Sequence, residues 1–146
     1  MQVELLDDLR ENRKKYEQIV LESIKEYIYQ NDRYGINFTL ALGATYSEID
    51  MKGFAGLIRE SDKFIELDKH ISCIVFPFTE SADGIKATSN LLSKFESTFF
   101  SEKVYLAIVN AKDCETPGHQ IQKLFDILKF SITNGMENMP LDNVSF

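Results

Sequence analysis

At 146 residues and 44% hydrophobic side chains, the chain can bury one core and is too short for two ordinary domains. Its formal charge of −7, from 16 Lys plus Arg against 23 Asp plus Glu, repels polyanions, and no cation cluster offsets it, which argues against nucleic acid as a main partner. Cys73 and Cys114 have no metal or redox spacing, no apolar run approaches about 18 residues, and no signal-peptide pattern opens the chain. The expectation is a cytoplasmic domain with reduced thiols, no membrane partner, no metal and no cofactor.

In chain order, the first element is a long charged helix. Leu6, Leu9, Tyr16, Val20, Ile24 and Tyr27 recur mostly at intervals of three and four, giving a narrow apolar stripe interrupted by Arg13. Such a stripe suits either a coiled-coil arm that pairs chains or a helix laid on its own domain. The polar segment Asn31 to Gly35 ends it, so residues 1–32 read as a helical arm and residues 33–146 as the domain proper.

Ile36 to Gly43 is a short apolar run with the length of a buried strand. Ser47 offers an N-cap with Asp50 three residues on, and Met51, Phe54, Ala55 and Ile58 share one helical face. Gly53 and Gly56 weaken that helix by roughly 1 kcal/mol each relative to alanine. Lys63 to Leu67 and Ile71 to Phe78 form the arms of a β-hairpin. Ser81 caps a helix carrying Ile85, Leu92, Phe95 and Phe99, and Val104 to Asn110 is another buried strand. After Pro117-Gly118, a last helix carries Ile121, Leu124, Phe125, Leu128 and Ile132 and stops at Asn134-Gly135. The tail from Leu141 has the pattern of an added edge strand.

Without the arm, the order is strand, helix, strand, strand, helix, strand, helix. That is the α+β, ferredoxin-like (split βαβ) plan, an antiparallel sheet with helices on one face. Palms of nucleotidyl cyclases and polymerases share it, as do many binding domains, so the plan alone does not choose a function.

The stretch RESDKFIELDKHISCIVFP, Arg59 to Pro77, narrows the choice. It resembles the signature hairpin of diguanylate cyclase (GGDEF) domains: an Arg-x-x-Asp pair, five residues, then Gly-Gly-Asp/Glu-Glu-Phe and an apolar strand ending near proline. Three further segments resemble the family in the same order. RYGINFTLAL, Arg33 to Leu42, is similar to the entry into its first strand. LDDLRENRKKY, Leu6 to Tyr16, is a looser likeness of its opening motif, and LFDILKFSITNGMEN, Leu124 to Asn138, is similar to its final helix.

The resemblance also implies which chemistry is missing. Joining two nucleoside triphosphates needs metal-held carboxylates and charge stabilization. The family's two metal acids fall at Ala44 and Tyr46, neither of which supplies a carboxylate. Its Gly-Gly turn becomes Asp68-Lys69, its acidic pair becomes His70-Ile71, and Ser72 closes the degenerate turn. Its phosphate-holding Lys and Arg fall at Ile132 and Met136, and only 14 residues separate Ala44 from Arg59, too few for its guanine-reading helix. No catalytic residue is therefore assigned.

The Arg-x-x-Asp pair, Arg59 and Asp62, stands where the family's product-binding inhibitory site contacts cyclic di-GMP. Arginine can grip phosphate or guanine, and aspartate can accept from guanine nitrogens. The competing reading is that the pair only trims a helix end and a strand start. His70 and His119 lack companions at ligand spacing. Glu48, Asp50 and Asp62 could form a replacement metal site but more simply cap helix or strand ends. The leading expectation is a catalytically inactive GGDEF-like regulatory or interaction domain in bacterial signaling, meeting a protein partner or a second copy through its N-terminal helix. A cyclic di-GMP receptor using Arg59 and Asp62, and a palm enzyme of altered nucleotide chemistry, are the alternatives.

Overall fold

A computed structural model describes residues 2–45, 56–98 and 103–142. The chain runs α1 (Gln2–Ser23), α2 (Lys25–Tyr34), β1 (Phe38–Thr45), β2 (Lys63–Asp68), β3 (Ile71–Pro77), α3 (Ser81–Thr98), β4 (Val104–Asn110), α4 (Pro117–Thr133) and β5 (Pro140–Asp142). The helix expected between Ser47 and Ile58 falls mostly outside the described residues, as do Tyr46, Glu48 and Asp50; residues 56–62 run as turns and bends.

The five strands form one sheet in the order β2-β3-β1-β4-β5. β1 pairs antiparallel with β3 and β4, and β2 with β3, which is the ferredoxin-like plan. Two details differ from the expectation. β5 joins β4 in parallel, so the sheet is mixed rather than wholly antiparallel. Helices also cover both faces rather than one.

Alternation along the strands shows this second point. Leu40, Leu42, Ile71, Cys73, Val75, Tyr105 and Ala107 pack with the buried residues of α1 and α4. Their neighbors Ala41, Ile74, Phe76, Val104 and Leu106 pack with Leu91, Leu92 and Phe95 of α3. A strand buried on both faces needs a continuous apolar run, and β1 and β4 have one.

The apolar stripe of α1 is laid on its own domain. Leu9, Tyr16, Val20 and Ile24 are each no more than 4% exposed in the same core as α4 and the sheet. Leu6 and Tyr27 are half-buried against that core. In this arrangement the four buried seam residues are not available to a second chain, because their surface is already spent. Arg13, which breaks the stripe, bridges to α4 by an ion pair with Asp126 at 2.7 Å and a hydrogen bond to the Gln122 carbonyl at 3.0 Å.

The expected single helix is kinked at Ile24 (φ −106°, ψ 11°). Tyr27 N–H bonds to the Ile24 carbonyl at 3.0 Å instead of reaching back four residues, and the Ser23 carbonyl accepts from Lys63 Nζ at 2.8 Å. Ser23 Oγ also donates to the Ile19 carbonyl at 2.7 Å, a contact that bends helices. The second helix then ends on Gly35, whose φ of +68° suits glycine. Beside the end of that helix, Thr116 caps α4 by accepting from His119 N–H at 3.0 Å, with Pro117 in the first turn.

Candidate functional site

Two places carry the residues singled out by the sequence: the tip of the β2–β3 hairpin beside the end of β1, and the turn that leads into β2. At the first, register brings Gly43 opposite Ser72 and Ala44 opposite Ile71. The Thr45 N–H then donates to the His70 carbonyl at 3.0 Å, fastening β1 to the turn. A register shift between Glu66 and Asp68 gives β2 one extra residue, a bulge that re-aims the tip.

Where the end of β1 meets the tip, the facing side chains Ala44 and Ile71 are hydrocarbon. Ala44 and Ile71 are fully buried. Neither side chain can ligate a divalent cation, so these two positions do not fit a magnesium site. Among the described residues, no three His, Cys, Asp or Glu side chains gather as metal ligands. Ile132 is fully buried and Met136 packs against the same core, so neither position offers a phosphate contact. Among the described residues, His70 Nδ1 and Ser72 Oγ are buried and have no hydrogen-bond partner.

Asp68 of the turn is tied to α1. Tyr16 O–H lies 3.0 Å from both Asp8 carboxylate oxygens and 3.4 Å from Asp68 Oδ2, and Asn12 Nδ2 donates to Asp8 at 2.6 Å. Burial, followed by the hydrogen bond and charge of Asp8 and the charge of Asp68, raises the tyrosine pKa. The phenol thus stays protonated and serves as the donor between the carboxylates. Sequence reading missed this link. Tyr16 and Asp8 are eight apart, so only their shared helix face hinted at it, and nothing local pointed to Asp68.

At the second place, Arg59 and Asp62 do meet, but they grip each other. The guanidinium reaches Asp62 at 3.2 Å through Nε and 3.1 Å through Nη2, and the Asp62 carboxylate also accepts the Arg59 backbone N–H at 3.0 Å. Asp62 N–H returns a bond to the Arg59 carbonyl at 3.0 Å, closing a tight turn before β2. The Asp62 side chain is only 2% exposed, whereas that of Arg59 is 59% exposed. The carboxylate is therefore consumed by the turn, and only the outer part of the guanidinium is open.

Beside this pair is a shallow depression of about 120 Å3 whose lining includes Arg59, Asp62, Phe76, Asn90, Leu91 and Lys94. Asn90 and Lys94 come from α3, where a spacing of four puts them on one face, but nothing in the sequence joined that face to Arg59. His119 stands apart in the first turn of α4, and His70 belongs to the hairpin tip. Among the described residues no helix is long and apolar enough to cross a membrane.

In sequence, the chain matches no family profile and no curated protein. In structure, it superposes on the GGDEF domain of TpbB (YfiN) from Pseudomonas aeruginosa with a TM-score of 0.70 and 11% identity, covering 83% of this chain and 91% of that one. The GGDEF domain of DgcB from Caulobacter crescentus, solved with c-di-GMP, gives 0.66 and 10% identity over 83% and 86% of the two chains. Diguanylate cyclase SiaD from Pseudomonas aeruginosa, solved with its activator SiaC, gives 0.69 and 12% identity over 86% of this chain and 57% of that one. With its sheet order, flanking helices and signature-like hairpin, the chain has the α+β palm fold of GGDEF domains.

Proposed function

We propose that this domain is a catalytically inactive, GGDEF-like regulatory or interaction module of a bacterial signaling protein. The observation that carries the reading is the pairing of Ala44 with Ile71 where β1 meets the hairpin tip. In the family resemblance, metal carboxylates belong at these positions. A methyl group and a branched alkyl group cannot hold magnesium, and both are sealed in the core. The side chains at Asp68 and Lys69, and the apolar Ile132 and Met136, extend the same loss to the turn and the phosphate clamp. Thermal melting with GTP and a titration of Mn2+ tests it. The account expects no ligand-dependent shift in midpoint, and a saturable rise would oppose it.

The partner on this reading is another protein, or a second copy, met through the N-terminal helix. The complex of SiaD with its activator SiaC supports a protein partner for this fold, and the charged outer side of α1 supports contact there. Because the inward stripe is buried, removing residues 1–30 would strip the core and cannot serve as a clean test. Dilution of the intact chain, followed by light scattering, is the appropriate measurement of self-association.

A second reading is favored by one specific observation. Arg59 and Lys94 share the depression beside the β2 entry, and the DgcB domain of similar fold was solved with c-di-GMP. On this reading, Arg59 turns its outer face to a phosphate while Asp62 holds it in place. Calorimetry with cyclic di-GMP on the intact chain and on Arg59→Ala decides it. Binding that falls at least tenfold in the variant favors a receptor, whereas no heat at millimolar ligand removes this reading.

A further inference from the structure

α1 and α4 lie antiparallel, with Leu6 and Leu9 near Phe125, Lys129 and Thr133 at one end and Leu21 near Gly118 and Ile121 at the other. Their seam carries two open depressions. The first, about 400 Å3, is floored by the half-exposed Leu6 over the buried Leu9 and Phe125 and rimmed by Arg10, Arg13 and Lys129. The second, about 320 Å3, has Leu21 and Ile121 at its base and Lys14, Glu17 and Gln18 at its edge. The residues they use on α1, and likewise on α4, recur at intervals of three and four, so both depressions open along one groove. The Arg13 bridge to Gln122 and Asp126 divides them.

The charge of this groove is opposite to that of the chain. Four cations, Arg10, Arg13, Lys14 and Lys129, line the two depressions against one acid, Glu17, although the whole chain carries −7. Arg10 is paired with Asp7 at 3.0 Å, and Arg13 is paired with Glu17 and Asp126 at 2.9 and 2.7 Å. Lys14 and Lys129 are in no ion pair among the described residues. A cationic rim over an apolar floor calls for an occupant with apolar anchors and acidic flanks.

We propose that the α1–α4 groove docks an acidic amphipathic helix of a partner protein, seating one apolar anchor in each depression. The fit follows from spacing. Each α1 position lining the first depression recurs eight residues later in the second, about 12 Å at 1.5 Å per residue, which matches anchors at i and i+7 or i+8 on one face of a helix. Acidic residues beside those anchors would meet Lys129 and Arg10 at one end and Lys14 at the other. A second copy is a poor occupant: the apolar stripes of α1, α3 and α4 are already buried in the chain's own core, and the net charge repels like chains.

This inference rests on the reading of the domain as an interaction module and assigns it a face and a class of partner. The probe is a designed, end-capped helical peptide of about 18 residues with leucines seven apart and glutamates flanking them, compared with the same peptide carrying lysines. Both are titrated into the intact 15N-labeled chain. The expected result is saturable binding of the glutamate peptide, at least roughly tenfold tighter than the lysine peptide, with amide shifts concentrated in α1 and α4. The double variant Lys14→Glu, Lys129→Glu, whose side chains are exposed, should lose that binding and keep the wild-type unfolding midpoint.

No saturable binding of the glutamate peptide up to millimolar concentration would overturn the proposal, as would equal affinity for both peptides or shifts confined to other elements. Concentration-dependent dimerization abolished by the same double variant, without peptide binding, would assign the groove to a second copy instead. None of these outcomes touches the Mn2+ and GTP measurement, so a failed docking face and a failed inactive-domain reading are told apart.

Discussion

Ile24→Ala probes whether α1 is part of the domain or an arm held for another chain. Ile24 is completely buried at the kink between α1 and α2, in the cluster that also holds Val20 and Tyr16. Alanine leaves the backbone bonds intact, since the Ile24 carbonyl still accepts from Tyr27 and Ile28. The side-chain carbons removed beyond Cβ cost about 0.8 kcal/mol each, about 2.4 kcal/mol in all, and the residual cavity adds about 1 kcal/mol. Ile24 lies in the non-helical kink, where alanine's helix propensity returns nothing, so the loss is about 3.4 kcal/mol.

Urea unfolding followed by circular dichroism, at protein concentrations roughly tenfold apart, reads both magnitude and origin. An intrachain core gives the full loss with midpoints that do not move with concentration. A loss under about 1 kcal/mol, or a wild-type midpoint that climbs with concentration while the variant's does not, would refute the packing described for α1.

Gly84→Ala should destabilize, although alanine is ordinarily the better helix former by about 1 kcal/mol. Its new Cβ would lie 2.6 Å from Thr39 Cγ2 and 2.8 Å from Thr39 Oγ1. Thr39 cannot yield freely: it is fully buried, donates to the Thr79 carbonyl at 3.1 Å and accepts from Asn110 Nδ2 at 2.8 Å. An overpacking cost of about 1–3 kcal/mol then exceeds the propensity gain, and a thermal midpoint at or above wild type would contradict this close approach. For the cysteines, burial pushes the Cys73 thiol from 9.0 up to about 12, and burial also raises Cys114, which is half-exposed. At pH 8, an aromatic disulfide reagent should label Cys114 in the folded protein and Cys73 only after unfolding. Because the folded Cys73 holds its proton more tightly than the unfolded one, its contribution to stability is intact below about pH 9 and falls as pH rises toward about 12. Equal labeling of both thiols in the native state would count against the burial of β3.

What could be read from the sequence was set by local pattern. β4, Val104–Asn110, stands out because the six-residue apolar run Val104 to Val109 can be a strand buried on both faces, and α4 because Pro117-Gly118 and Asn134-Gly135 mark its ends. The kink at Ile24 was not legible, since one of its causes, Lys63 Nζ on the Ser23 carbonyl, arrives from forty residues away. The alternation that puts α3 on the second face of the sheet is hidden when both faces are apolar. The strand expected through Phe78 stops at Pro77 because Phe78 turns into the left-handed region at φ +56°.

At the candidate site, residue types were more legible than their commitments. The letters at Ala44 and Ile71 already lack oxygen ligands, and the fold adds that they face each other in register. For Arg59 and Asp62, spacing indicated proximity but not that the carboxylate spends itself on the turn and on its own arginine. The cationic groove between α1 and α4 was invisible for a different reason. Its residues come from opposite ends of the chain and are outnumbered by acids in any composition-based reading.

The central proposal is that this domain of GGDEF-type fold does not join nucleotides. The direct measurement is chromatographic detection of cyclic di-GMP after prolonged incubation of the intact chain with GTP and Mn2+ or Mg2+. The account predicts no product above a protein-free control. Dinucleotide that accumulates in proportion to protein concentration, from a preparation free of other cyclases, would contradict it.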